Sequence, residues 1–282
     1  MLVLDPDAPC DGITLEELLD GKEPLRHLMH DAELDGVIAS EGLARASKSK
    51  SELLTVLPQQ SHSIEDGLLK LSFAHEWADV PKPLSISLVV DASPGCGGLA
   101  WPAGQILASY LVQKGPDYVK NKSILELGSG TGLVGLAVSV FPETNVWITD
   151  QAPLLDIMKR NVLLNNLKAT VTVAELNWSV SSLLPYVPED IPRPDIILAA
   201  DCVYFEPAFP LLVQTLSDLS DTSTKILFCY KKRRKADKRF FGMLKKKFTW
   251  KEVMDDPNRQ IYNREAITLI RLFKIDAPKV LH

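Results

Sequence analysis

The sequence is poor in the features that announce most specialised chemistries. Its 282 residues include only four cysteines, Cys10, Cys96, Cys202 and Cys229, and no two of them form a C-x-x-C pair. Neither a zinc site nor a disulfide framework is indicated, and no metal is expected. No stretch approaches the apolar length of a membrane span, so no membrane partner is expected. The opening Met-Leu-Val-Leu-Asp-Pro-Asp lacks the basic start and apolar run of a signal peptide, which points to a cytoplasmic protein. An excess of positive charge is also missing. At a net charge of −5 the chain gives no general reason to bind nucleic acid.

What remains is the composition of an ordinary globular protein, 46% apolar and 24% charged, long enough for one large domain with an extension. Residues 1–65 differ from the rest. Asp5, Asp7, Asp11, Glu16, Glu17, Asp20 and Glu23 make the opening acidic, and Ala44–Ser51 has linker composition. This region reads as a partly disordered acidic extension, with the folded domain over 66–282.

From Leu68 onward the pattern sharpens. Leu69, Leu71 and Phe73, then Leu84, Ile86, Leu88 and Val90, alternate with a period of two and predict a small antiparallel pair. A glycine- and proline-rich loop over 91–98 leads to Trp101 and a helix opening at Pro102, with Ile106, Leu107, Tyr110 and Leu111 at helical spacing. Strands are then predicted at 124–127, 145–149, 171–174, 195–200 and 225–230. Helices are predicted from Leu133 through Val140 and at 152–166, 208–219 and 236–247, before two late strands at 248–253 and 266–273. This alternation implies an α/β fold: a Rossmann-like, seven-stranded, mostly parallel sheet with helices on both faces and a small N-terminal β extension. Ligands in such sheets bind beyond the carboxyl ends of the strands.

The sequence is organised around 123–135, Ser-Ile-Leu-Glu-Leu-Gly-Ser-Gly-Thr-Gly-Leu-Val-Gly. Ile124, Leu125 and Leu127 form the strand, Leu133 and Val134 open the helix, and Gly128, Gly130 and Gly132 lie between them. Such an elbow lets a ligand rest on bare backbone, and the helix start favours a negative group. The dinucleotide fingerprint G-x-G-x-x-G needs a glycine at 133, which is Leu133. Glu126 inside the strand is also foreign to a dinucleotide site.

Other chemistry-bearing residues fall at strand ends. Asp150 closes the second core strand, 24 residues beyond Glu126, and its carboxylate can accept both hydroxyls of a ribose diol. The competing reading is a helix cap. Asn177 and Trp178 follow the third strand, where an aromatic face would stack on an adenine and an amide would read its edge. Ala200 ends the fourth strand with a small side chain that leaves room for a cofactor, and Asp201 follows it.

The pattern Glu126-Leu-Gly128-Ser129-Gly130-Thr-Gly132 resembles motif I of the class I, seven-β-strand methyltransferases, which bind S-adenosyl-L-methionine. Over roughly residues 84–275 the chain more narrowly resembles methyltransferase family 16, the protein-lysine methyltransferases. The matches are Trp101 in Gly-Leu-Ala-Trp-Pro-Ala, the glycine elbow, Ile148-Thr-Asp150, Leu176-Asn-Trp178, and Ala199-Ala-Asp201-Cys-Val-Tyr204, the last being a D-x-x-Y signature. The resemblance is nearest the fungal enzymes that methylate lysines of translation elongation factors. It implies that Trp101, Trp178, the elbow backbone, Asp150 and Ala200 contact the cofactor. It also implies a protein substrate of the elongation factor 1-alpha type, with the enzyme expected to act as a monomer.

Asp201 and Tyr204 are the catalytic candidates. Asp201 would hold the arriving lysine, and Tyr204 would line its channel with a ring face and a hydroxyl. Their competing reading is a loop cap and a core aromatic. A basic run, Lys231–Lys235 with Lys238, Arg239 and Lys245–Lys247, reads either as a solvated face or as a dock for an acidic partner. An RNA or small-molecule methyltransferase, or an inactive module that keeps the fold to bind a partner, stays open as an alternative. Asp201-Cys-Val-Tyr204 lacks both prolines of the N/D-P-P-Y motif that marks methylation of adenine or glutamine amino groups.

Overall fold

A computed structural model describes residues 67–77, 82–91, 96–178, 191–233 and 237–275, and the acidic segment 1–65 lies outside them. The alternating run ahead of the core forms an antiparallel hairpin of β1 (Gly67–Phe73) and β2 (Leu84–Val90), a two-stranded sheet of its own. Helices α1 (Pro102–Lys114) and α2 (Pro116–Val119) precede β3 (Lys122–Leu127). Then come α3 (Leu133–Ser139), β4 (Thr144–Asp150), α4 (Leu155–Leu164), β5 (Val171–Glu175) and β6 (Ile196–Ala200). The chain continues through α5 (Phe209–Leu219), β7 (Lys225–Lys231), α6 (Asp237–Leu244), β8 (Phe248–Glu252), α7 (Arg259–Arg264) and β9 (Ile267–Lys274).

Seven of these strands form one sheet in the order β5-β4-β3-β6-β7-β9-β8, and β9 is the one that runs against the rest. The central strands are apolar on both faces, as strands covered on both sides must be. Ile124, Ile196 and Leu198 face a core shared with α1, α3, α4 and the hairpin. Leu125, Leu127, Ile197 and Ala199 face the opposite core beneath α5 and α6. From β3 the chain winds one way to β4 and β5, then returns to place β6 on the other flank of β3. The crossovers therefore part between β3 and β6, and a crevice opens there at the strand ends.

The expected helix over 152–166 is shorter than its apolar pattern suggested. Residues Ala152–Leu154 form a separate 3₁₀ turn around Pro153, and Asn166, at a φ of 57°, unwinds the chain after α4. Helix α7 was not expected. Its six residues, Arg-Gln-Ile-Tyr-Asn-Arg, are too few to display a helical period.

Asn161 of α4 and Asn165, which caps its C-terminus, fasten the hairpin to the domain. Asn161 accepts the Val89 N–H at 2.6 Å, while its amide donates to the carbonyls of Val89 (3.2 Å) and Thr131 (2.9 Å). Asn165 accepts the Ser87 N–H and donates to the Ser87 carbonyl. The α4 face thus supplies β2 with partners that a neighbouring strand would otherwise give. Because Asn161 is fully buried, truncation would strand the polar groups it serves. Asn161→Ala is expected to cost about 2–4 kcal/mol of unfolding free energy in urea titrations. Asn165→Ala, at a half-buried position, should cost about 1 kcal/mol.

Candidate active site

The chain turns sharply on leaving β3, because α3 must pack back onto the strand that precedes it. Gly130 sits in this turn at a φ of 54°, and a β-carbon there would come within 2.4 Å of the Gly97 carbonyl oxygen. Any larger residue would push away the loop that roofs the turn. Ser129 ties the turn to the next strand. Its N–H donates to the Thr149 carbonyl (2.9 Å), and its hydroxyl accepts the Thr149 N–H (2.8 Å). The hydroxyls of Ser129 and Thr149 both donate to the Glu126 carbonyl, at 3.1 and 2.7 Å.

Beneath the turn lies Glu126, 3% exposed, whose Oε2 accepts the Gly135 N–H of α3 at 2.8 Å. Burial pushes its carboxyl up to about 8, against a smaller downward pull from that amide. Asp150 stands at the end of β4. Its Oδ2 accepts the Gly130 N–H (2.8 Å) and its Oδ1 the Gln151 N–H (2.7 Å). Desolvation raises this carboxyl too, and the two amides counter the rise. Asp150 makes no cap for the turn that follows it, so the helix-cap reading fails.

These groups line a cleft of about 860 Å³, counting the space at its open mouth, with Trp101, Glu126, Gly128, Ser129, Gly130, Asp150, Trp178, Ala200, Asp201 and Tyr204 in its walls. Ten of the twelve residues singled out in the sequence are therefore brought together. Two are not. Asn177 is exposed, turned outward between Leu176 and Trp178, which both line the cleft, as alternation in extended chain requires. Gly132 faces the interior, where a β-carbon would lie 2.9 Å from Ile148 Cδ1, and it supports the turn from behind.

At the end of β6 the backbone takes an unusual course. Asp201 has a φ of 56°, in the left-handed region, while its N–H donates to the Cys229 carbonyl of β7 (2.9 Å). Its side chain meets Arg233 in a two-pronged ion pair, Nη1 to Oδ1 at 2.7 Å and Nη2 to Oδ2 at 2.9 Å. The Lys231 N–H adds a third bond to Oδ1, at 3.1 Å. Both side chains are buried, at 4% and 5% exposure. The Arg233 guanidinium carbon also lies 5.3 Å from the Trp101 ring centre.

Sequence reasoning did not single out Arg233, which lay inside the basic run. Its only signal was position, two residues past the end of β7 and hence near the strand-end crevice. Cys202, buried with its thiol pushed up by desolvation, and the Gly97–Ala100 loop also line the cleft unannounced. Among the described residues, no cluster of three or more His, Cys, Asp or Glu side chains is arranged to hold a metal, and no helix is long and apolar enough to cross a membrane.

The cleft suits S-adenosylmethionine. Gly128 bares backbone in its wall, where a β-carbon would crowd the Trp178 ring at 3.3 Å. A carboxylate, aromatic faces and apolar walls converge there. Fold and cleft together define an S-adenosylmethionine-dependent methyltransferase of the Rossmann-like class. The sequence profile of the lysine methyltransferase family matches residues 82–247, and the chain belongs to that family.

Its activity is S-adenosylmethionine-dependent methyl transfer to protein lysine. The chain is 39% identical over 201 residues to protein-lysine N-methyltransferase EFM6 of Saccharomyces cerevisiae, covering 64% of this chain and 82% of that protein. It is 36% identical over 176 residues to protein N-lysine methyltransferase METTL21A of Danio rerio, covering 61% and 78%. It is 33% identical over 152 residues to EEF1A lysine methyltransferase 3 of Xenopus tropicalis, covering 54% and 65%.

The elevated Glu126 carboxyl has a consequence for stability. An acid that titrates near 8 when folded and near 4.5 when unfolded favours the fold fully below about 4.5, and loses that contribution as pH rises through 8. Glu126→Gln removes the titration and keeps an acceptor for Gly135. The melting temperature of the cofactor-free Gln variant, relative to the parent protein, is expected to climb by several degrees between pH 5 and pH 9. Calorimetric scans in matched buffers check this. A difference independent of pH would contradict the assignment.

Proposed function

We propose that the protein methylates a lysine of translation elongation factor 1-alpha, with the cleft residues dividing between cofactor and substrate. The observation that carries the substrate is the similarity to EEF1A lysine methyltransferase 3. A cytosolic location follows from that substrate.

On this reading the backbone of Gly128–Gly130 underlies the cofactor, with Glu126 and Gly132 holding the turn in shape. Asp150 accepts the ribose hydroxyls, for which its carboxylate keeps lone pairs beyond the two amides it already serves. Trp178 offers a stacking face, Trp101 covers the cleft opposite, and Ala200 leaves space between them. Asn177, outside the cleft, is assigned no contact. When bound, S-adenosylmethionine supplies a methyl on an electrophilic sulfonium, so the protein's task is to orient a neutral amine.

Lysine titrates near 10.4 in water, and presenting it neutral at pH 7 costs about 4–5 kcal/mol. Desolvation between Trp101 and Tyr204 lowers that cost. Oδ1 of Asp201 is occupied by two donors, but Oδ2 accepts only one bond from Arg233. Its remaining lone pair can accept an amine N–H and so aim the nitrogen. Tyr204, half-buried in the same wall, completes the channel. Alignment rather than strong acid–base chemistry then provides most of the acceleration.

Two variants separate the two halves of the site. Asp150→Ala is expected to weaken S-adenosylmethionine binding at least tenfold by calorimetry. Asp201→Asn should leave that affinity within about twofold and reduce methyl transfer by 10²-fold or more. Equal effects on both readouts would refute the division. For the substrate, labelled-methyl transfer into purified elongation factor 1-alpha should mark a single lysine by mass spectrometry. Absence of label there, with label in other lysate proteins, would replace the factor by another acceptor.

A further inference from the structure

We infer that Arg233 is a positioning residue that offsets the charge of Asp201, so that Asp201 can orient the substrate amine without holding it as ammonium. The inference rests on the reading in which Asp201 faces the acceptor lysine, and it assigns work to a residue outside the family's D-x-x-Y signature.

The physical problem is a conflict between two demands on one carboxylate. A bare carboxylate within about 4–6 Å of an amine favours its protonated form and raises its pKa by roughly 1–3 units. Methyl transfer needs the opposite, because only the neutral amine carries the reacting lone pair. The fork of Arg233 resolves this by engaging both oxygens of Asp201 in a buried site, where charges are poorly screened. The acceptor direction left on Oδ2 remains usable, while the pair is neutral overall.

Arg233 is itself fixed from three sides. Its backbone N–H donates to Asp237 Oδ2 at 3.0 Å, which fixes the main chain, while its guanidinium lies over Trp101 and its fork is closed on Asp201. A guanidinium held this way cannot swing aside to expose a bare carboxylate at little cost. The other groups around the pair do not replace its charge. On β3, Glu126 is uncharged through neutrality because burial pushes it up to about 8. The Cys202 and Cys229 thiols are pushed upward by desolvation and stay neutral. Asp150 on β4, Asp237 on α6, Lys231 on β7 and Tyr204 complete the ring, and the two aspartates are of the wrong sign. Of these neighbours, Arg233 is the one whose cation both oxygens of Asp201 meet.

The test is the pH dependence of lysine methylation, read with labelled S-adenosylmethionine and a native cell lysate as acceptor, counting methyl-lysine after hydrolysis. A lysate arm reads the midpoint whichever protein carries the lysine. In Arg233→Gln the midpoint of the rate against pH is expected to move upward by about one unit or more. Arg233→Lys should return it most of the way, and Arg233→Gln combined with Asp201→Asn should bring it back, since the pair is again neutral. Cofactor affinity by calorimetry and the melting temperature serve as readouts besides activity. Affinity within about threefold of the parent, in a protein that still melts cooperatively, accompanies the expected shift.

A rate that falls equally at every pH, or a midpoint that stays displaced in the doubly neutral variant, would overturn the inference and leave Arg233 a structural residue. Absence of methyl-lysine with the parent protein would overturn the lysine reading beneath it. That failure is seen before any variant is made.

Discussion

The cleft depends on how β3 turns into α3. A central strand with neighbours on both sides can end only by rising out of the sheet, and here it does so over a buried carboxyl. Glu126 bridges strand and helix through the Gly135 N–H, while Ser129 and Thr149 lace the turn to β4. With the turn fixed, the Gly130 N–H has one direction to point, and it meets Asp150. The position of Asp150 is thus set by the same bonds that shape the elbow. A carboxyl buried so completely stays protonated through neutrality, and its service to the turn is hydrogen bonding rather than charge.

Support for this turn comes from far away in sequence. Asn161 touches both the edge of β2 and the carbonyl of Thr131, so the N-terminal hairpin and the glycine turn share one buried amide. The hairpin is therefore part of the scaffold of the site. Glycine turn, α4 and hairpin form one hydrogen-bonded unit on the face opposite α5 and α6.

The second constraint is electrostatic. A buried ion pair seldom adds net stability, because desolvating two charges offsets their attraction. The Asp201–Arg233 pair is maintained within a cleft beside two tryptophans, next to a residue in left-handed conformation. Such an arrangement is better explained by what it does to a ligand than by what it adds to the fold. It also divides the basic run in two. Arg233 points inward, whereas Lys232, Lys238, Lys245 and Lys246 are exposed and Arg239 pairs with Glu206.

The order of elements, the two-faced apolar strands and the residues at strand ends were legible in the sequence, because period and position along a strand are local properties. Trp101, at a loop–helix junction, came from the family resemblance, whereas Asp150, Trp178 and Asp201 followed from a single rule about strand ends. Asn177 did not obey it, since one step along an extended chain reverses the side chain, and only the placement of Leu176 and Trp178 fixed the phase. Helix α7 was too short to show a period. The pairing of Asp201 with Arg233 was out of reach for another reason. It joins residues 32 apart on two strand ends, and nothing in a run of five basic residues says which one turns inward. That choice belongs to the tertiary structure, where the end of β7 meets the left-handed turn after β6 and leaves one buried carboxylate for one guanidinium.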